Sequence, residues 1–155
     1  MTLGILIYSL GGGGAERVAS YLLSYLNTSQ VEVHLFLMNE TIVYSIPQGI
    51  HIHYLEKSKS TESGVLKLLK VPILAYKYRN LCKKLGVSHS FSLMTRPNYI
   101  NILSGMFNSK IKIFISERAY PSLQYGYGDI KSKLNKILIK SLYRKADKVI
   151  CNSIG

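Results

Sequence analysis

Acidic side chains are scarce in this sequence, eight against twenty basic ones, and cysteine occurs only twice. Neither Cys82 nor Cys151 belongs to a close-spaced pair or a Cys/His cluster. That argues against a disulfide framework and a zinc centre and fits a reducing, cytoplasmic setting. Both read as small buried hydrophobes. No apolar run approaches the roughly 18 residues needed to span a bilayer. Met1–Leu10 is apolar but has no basic residue before it, and it runs into glycines instead of a small-residue cleavage site. It reads as a buried first strand and not as a signal peptide. Internal repeats are missing, and so are paired carboxylates of the glycosidase kind. What remains is 155 residues, 47% of them hydrophobic: enough for one domain with a proper core and too few for two ordinary ones.

The net charge of +12 is unevenly spread. Residues 1–56 carry −3, residues 57–84 carry +7, residues 85–109 carry +1, and residues 110–155 carry +7. Two basic blocks of this kind point to an acidic membrane, a phosphorylated substrate or nucleic acid.

Strand-length apolar runs alternate with helical periodicity. Leu3–Leu10 reads as a strand buried on both faces. Ala15, Val18, Ala19, Leu22, Tyr25 and Leu26 recur at helical spacing, and Asn27 ends the pattern. Val31–Met38 and Ile50–Tyr54 read as the second and third strands. Leu66 to Leu81 suggests a helix that Pro72 restarts or kinks, with Gly86 as its C-cap. Ser88–Met94 reads as strand four, Pro97 as part of the loop after it, and 100–107 as a short apolar helix. Strand five covers Ile111–Ile115, a loop spans Tyr120–Asp129, residues 131–146 form a helix, and Val149–Asn152 a last strand. The alternation predicts an α/β domain with a doubly wound, mainly parallel sheet, whose ligands bind beyond the carboxyl ends of the strands.

Gly11–Gly14 lies between a buried strand and an amphipathic helix. Glycines let a phosphate approach the backbone, and the free N–H groups of a helix N-terminus point at it. A tight turn with no ligand is the plain alternative, but four glycines exceed what a turn needs. A P-loop would end Gly-Lys-Ser/Thr, and this loop ends Gly14-Ala15-Glu16. The dinucleotide fingerprint would place its third glycine where Glu16 or Arg17 stands, so nicotinamide is a distant choice, with Glu40 a loose candidate for its ribose.

Gly12-Gly13-Gly14-Ala15-Glu16-Arg17, between strand and helix, resembles the opening of family 4 glycosyltransferases, which have the two-domain GT-B fold. Ser90-Phe91-Ser92-Leu93-Met94-Thr95-Arg96, with Asn98 and Asn101, is similar to that family's fourth-strand segment. Ile115-Ser116-Glu117-Arg118, with Pro121, looks like a segment of the branch that builds bacterial surface polysaccharides and lipid-linked oligosaccharides. Leu142-Tyr143-Arg144-Lys145-Ala146-Asp147, then Lys148-Val149-Ile150 and Asn152-Ser153, resembles the Tyr-x-x-Ala-Asp segment that closes the N-terminal domain. The resemblance implies that residues 1–155 are an acceptor-side, Rossmann-like N-terminal domain. The nucleotide-sugar donor would be held mainly by a second domain that these residues do not include. It further implies a retaining hexosyl transfer, onto a lipid-linked or saccharide acceptor, that this chain does not perform alone; from the residues themselves, no cofactor or metal is expected. Glu32 and Glu40 share the E-x7-E spacing of the family's donor site but stand in the wrong half. Many relatives carry a histidine after strand five, where this sequence has Ser116-Glu117-Arg118.

Glycosyl transfer needs a stabilised diphosphate leaving group, an oriented acceptor hydroxyl and exclusion of water. The Gly12, Gly13 and Gly14 amides suit a phosphate, and Arg17 in the first helical turn can add a cationic fork; a surface salt bridge is its alternative. Thr95, Arg96 and Asn98 follow strand four, and Glu117 and Arg118 follow strand five. All are expected on the ligand edge, with Glu117 as the catalytic candidate that accepts the acceptor proton or binds sugar hydroxyls. An ion pair with Arg118 or Arg96 is the competing role for Glu117. His51 and His53 share a strand face but lack a third ligand for a metal. Lys133, Lys136, Lys140 and Arg144 make one helical stripe, expected to dock on anionic membrane at the inner face of the cell membrane. Nucleic-acid binding is the rival class: twelve tyrosines could stack on bases, but no recognised motif supports it and the glycine loop would go unexplained.

Overall fold

The computed structural model describes residues 1–57, 61, 63–106, 110–117 and 130–151. Six strands form one sheet: β1 (Thr2–Ile7), β2 (Glu32–Leu37), β3 (His51–Tyr54), β4 (His89–Leu93), β5 (Lys112–Glu117) and β6 (Lys148–Cys151). Their order is β3-β2-β1-β4-β5-β6, and every neighbouring pair is parallel. The chain winds outward from β1 to one edge, then crosses back to build the other half from β4. The switch point lies between β1 and β4, where such sheets open a crevice at their carboxyl edge. The fold is thus the Rossmann-like α/β arrangement that the alternating pattern predicts.

Both faces of the sheet are covered, which is why β1 is apolar almost throughout. Ile5 and Ile7 pack with Ala19 and Leu23 of α1 (Gly14–Asn27) on one side. Leu6 and Phe36 join the opposite layer, formed by α3 (Val71–Lys84), α4 (Thr95–Met106) and α5 (Ile130–Leu142). Gly4 lies close under that layer: a Cβ there would stand 3.1 Å from the Tyr78 hydroxyl, so its neighbours would have to give way by a few tenths of an ångström.

Pro72 restarts the helix, as one of the two sequence alternatives had it: the stretch is two helices, α2 (Gly64–Leu69) and α3, meeting at Lys70, and Pro72 sits in the first turn of α3, where its missing N–H leaves nothing unbonded. Two features differ from the pattern-based expectation. Pro97 lies inside a helix, not a loop. α4 begins at Thr95, directly after Met94, which turns the chain with a left-handed φ of 78°, and Pro97 falls in the tolerated first turn. Cys151 is exposed, unlike the buried Cys82, because it lies on the edge strand β6. Gly86, at φ +66°, ends α3 as its composition suggested. A 3₁₀ turn (Tyr143–Lys145) follows α5, and Asp147 then accepts the Ile113 N–H at 2.7 Å, stitching the Ala-Asp segment to β5. The expected loop Tyr120–Asp129, together with Arg118, Asn152 and Ser153, lies outside the described residues. Among those described, no helix is long and apolar enough to cross a membrane.

Candidate functional site

Alternation along β5 turns Ile113 and Ile115 into the layer beneath α4 and brings Glu117, of the same parity, to the carboxyl edge on that side. Glu117 is only 7% exposed. The Thr95 hydroxyl, at the start of α4, donates to its Oε2 at 3.3 Å, and the Tyr143 hydroxyl donates to the same oxygen. Asn98 Nδ2 donates to the Tyr143 oxygen at 3.1 Å and to the Ser116 carbonyl at 3.0 Å. The chain of bonds continues inward. Ser92 Oγ donates to Asn98 Oδ1 at 2.8 Å, and Asn101 Nδ2 donates to Ser92 Oγ at 3.0 Å. Ser90 Oγ donates to Asn101 Oδ1 at 2.7 Å, and Tyr78 meets Ser90 at 2.7 Å. Strand spacing aligns Ser90 with Ser92, and helix spacing aligns Asn98 with Asn101, so two short polar ladders interlock between β4 and α4.

Burial pushes the Tyr143 phenol far above its ordinary range, and the Glu117 charge adds to the effect. Tyr143 therefore keeps its proton at neutral pH, and its hydroxyl donates a hydrogen bond to the carboxylate. Burial likewise raises Tyr78 and drives the Cys82 thiol up to about 12, leaving it inert. Thr95 also lines a cleft of about 140 Å³ between α2, α4 and α5, with Lys67, Leu68, Arg96, Tyr99 and Asn135 among its walls. A carboxylate held by two hydroxyls beside a cleft can orient a hydroxyl ligand or accept its proton.

The glycine loop occupies the same edge, after β1. Gly12 takes φ +104°, and Gly13 is the N-cap of α1. Side-chain atoms at 12 or 14 would meet no described atom within 4 Å, so these backbones stand open; at 13 they would collide with the Glu16 carboxylate. Glu16 therefore closes over the loop from the first turn of α1, where a carboxylate suits the helix dipole. Tyr44 donates to the Gly12 carbonyl at 3.2 Å, tying the loop to the segment after β2. Arg17 leans along α1, its Nε donating to the Tyr21 hydroxyl at 3.0 Å with the guanidinium over that ring. The hydrogen bond to Tyr21 raises its pKa further above the ordinary value.

Of the residues named from sequence, Thr95, Asn98 and Glu117 converge in one bonded cluster. Arg96 turns the other way: its Nε donates to the Lys67 carbonyl at 3.1 Å, and one terminal nitrogen lies 2.9 Å from Glu56 Oε2. Glu56 also pairs with Lys70 at 3.2 Å. Lys133, Lys136, Lys140 and Arg144 are all exposed along α5 and the turn after it, beside Leu134 and Ile137. Arg118 is outside the described residues. His34 and His53 approach at 3.1 Å and His51 stacks on His34, yet no three His, Cys, Asp or Glu side chains among the described residues are arranged to hold a metal.

Tyr143 was not legible as a site residue, although it sits in the Tyr-x-x-Ala-Asp segment. Only the fold brings it to Glu117, 26 positions earlier in the chain. Ser92 and Asn101 carried a faint signal, polar residues at strand and helix spacing inside otherwise apolar elements.

No protein-family model matches the chain. Over 153 residues, 99% of its length, it is 49% identical to the N-acetylgalactosamine-N,N'-diacetylbacillosaminyl-diphospho-undecaprenol 4-alpha-N-acetylgalactosaminyltransferase of Campylobacter jejuni. It spans 41% of that relative's length. Among solved structures it is similar to the lipopolysaccharide outer core galactosyltransferase WaaB in its apo form (TM-score 0.64, 14% identity, 96% of this chain and 38% of that one). It is similar also to Acinetobacter baumannii MurG (TM-score 0.59, 14% identity, 99% and 42%) and to Phytolacca americana UGT2 (TM-score 0.68, 9% identity, 99% and 46%). At these identities the three structures speak for the fold alone, the Rossmann-like half of GT-B glycosyltransferases.

Proposed function

We propose that this chain, a glycosyltransferase homologue with a GT-B-type Rossmann-like fold, is the acceptor side of an enzyme that moves a sugar from a nucleotide-sugar onto a lipid-linked or polysaccharide acceptor. The observation that carries the reading is the Thr95–Glu117–Tyr143–Asn98 cluster at the carboxyl edge, in a chain half identical to a transferase acting on a diphospho-undecaprenol-linked sugar. In the reaction an acceptor hydroxyl oxygen bonds to the anomeric carbon, the bond from that carbon to the nucleoside diphosphate breaks, and the hydroxyl proton is lost. Glu117 is the group we assign to that hydroxyl, as hydrogen-bond acceptor and proton acceptor, with Tyr143 and Thr95 fixing its orientation. Thr95 and Asn98 shape the acceptor side, Arg118 adjoins Glu117 in sequence, and Arg96 braces the cleft wall through Glu56. The open backbones at Gly12 and Gly14, with Arg17 close by, would face phosphate, and Gly13 would join them once the Glu16 carboxylate swings off it.

Because the chain spans only two fifths of its relative, the donor site belongs in this reading to further sequence, and residues 1–155 do not transfer sugar alone. The setting is the inner face of the cell membrane. Lys133, Lys136, Lys140 and Arg144 supply charge toward anionic lipid, and the exposed Leu66, Leu69, Ile73 and Tyr76 of α2 and α3 supply apolar surface between further lysines.

Transfer of label from UDP- and GDP-sugars onto a membrane lipid extract tests this. The full product of the encoding gene should transfer sugar, and residues 1–155 should not. Glu117→Gln in the full product should lower the rate about 100-fold or more with its fold intact. No transfer by the full product onto any lipid fraction, or an unimpaired Glu117→Gln variant, would overturn the reading.

A further inference from the structure

At the amino-terminal edge of the sheet, opposite the glycine loop and Glu117, a second cleft of about 500 Å³ opens between the end of α3 and the segment entering β5. That volume is in the range of small-molecule sites. Its charged lining is all of one sign: Arg79 and Lys83 from α3, and Lys110 from the segment before β5. Among the described residues, no carboxylate lines it. Asp147, on the same edge, is bonded to the Ile113 N–H and paired with Lys112. Cys82, Val87 and Ile111 make an apolar floor, each at most 6% exposed.

Two features are costly unless an anion is bound. Arg79 and Lys83 are four apart on one helix face, a like-charge spacing that weakens a helix. Arg79 Nε is also shielded from solvent with no hydrogen-bond partner among the described residues, and a buried donor left unmatched is unfavourable. The negative end of the α3 dipole accounts for Lys83 in its last turn. It does not account for Arg79 a turn earlier. We infer that this cleft binds a phosphate-bearing ligand, with Arg79 and Lys83 clamping the anion, Lys110 closing the charge from the facing side, and the apolar floor taking an attached carbon group. The site is separate from the acceptor edge and stands whether or not Glu117 acts as assigned.

Amide chemical shifts of the ¹⁵N-labelled chain, titrated with inorganic pyrophosphate at constant ionic strength, test the inference. Saturable shifts confined to Arg79, Lys83, Gly86, Val87, Ser88 and Lys110 are expected. Lys83→Gln, an exposed change that leaves the core alone, should weaken binding about tenfold, as should Arg79→Gln; Arg79→Lys should restore part of it. Vesicles containing phosphatidic acid distinguish the source: competition with pyrophosphate assigns the site to a lipid headgroup, and lack of competition to a soluble phosphate compound. Shifts absent at these amides, or unchanged in both Gln variants, would overturn the inference.

Discussion

Asn101 shows how much one buried side chain carries. Its amide nitrogen donates to Ser92 Oγ and the Phe114 carbonyl, and its oxygen accepts from Ser90. Asn101→Ala would strand several of these groups in a site closed to water, and we expect a loss of about 2–3 kcal/mol in urea unfolding. Thr95, Asn98 and Glu117 were legible because residues just beyond a parallel strand are carried to the ligand edge whatever their partners. The roles of Arg17 and Arg96 were not, because a long cation settles on whatever acceptor the fold supplies: for Arg17 a tyrosine one turn along its helix, for Arg96 a glutamate from another strand end. Tyr143→Phe should separate holding Glu117 from folding. It keeps the ring packed against Tyr99 but leaves the buried Glu117 one donor short, so the circular dichroism spectrum should be unchanged and the thermal midpoint lowered, while kcat of the full gene product in the proposed sugar transfer should drop by at least tenfold.

Among the elements, the β2–β3 pair carries a pH dependence. Desolvation by burial lowers the pKa of both His34 and His53 and neighbouring histidines add to it, with the Glu32 carboxylate opposing the effect at His34 without reversing it. Their native forms resist protonation while the unfolded chain takes protons normally, so the stability they contribute is present above about pH 6.5. It is lost as the pH falls from there toward the depressed native values. The thermal midpoint should fall between pH 7.5 and 5.5, and His53→Gln should flatten that slope. α4 approaches β5 so closely that a Cβ on Gly105 would lie 2.5 Å from Ile113 Cγ1; Gly105→Val should cost about 1–3 kcal/mol in urea unfolding. On α3, Ile73 and Tyr76 are 72% and 64% exposed. Replacing both with Asp should abolish co-sedimentation with anionic vesicles and leave the circular dichroism spectrum unchanged. Strands and helices with clean periodicity, β1 and α1 above all, were readable from sequence. The start of α4 was not, because Pro97 reads as a breaker unless it is known to fall in a first turn, and that depends on the left-handed turn at Met94.

For the whole molecule, two-sided burial and strand–helix alternation made the parallel sheet legible, since few other architectures cover both faces of so apolar a β1. The division of the surface was only half legible. Sequence located the basic blocks, but folding separates their residues: Lys67 lines the cleft at the carboxyl edge, whereas Arg79 and Lys83 line the one at the opposite edge. The sheet order has a kinetic consequence as well. β1 is central, yet one of its two neighbours, β4, reaches it only across a separation of 86 residues, where Ser88 meets Thr2. Closing so long a loop is slow relative to forming helices. Refolding should therefore show helical signal well before β1 is enclosed, and in that interval the most apolar strand of the chain lies open to association with its own copies.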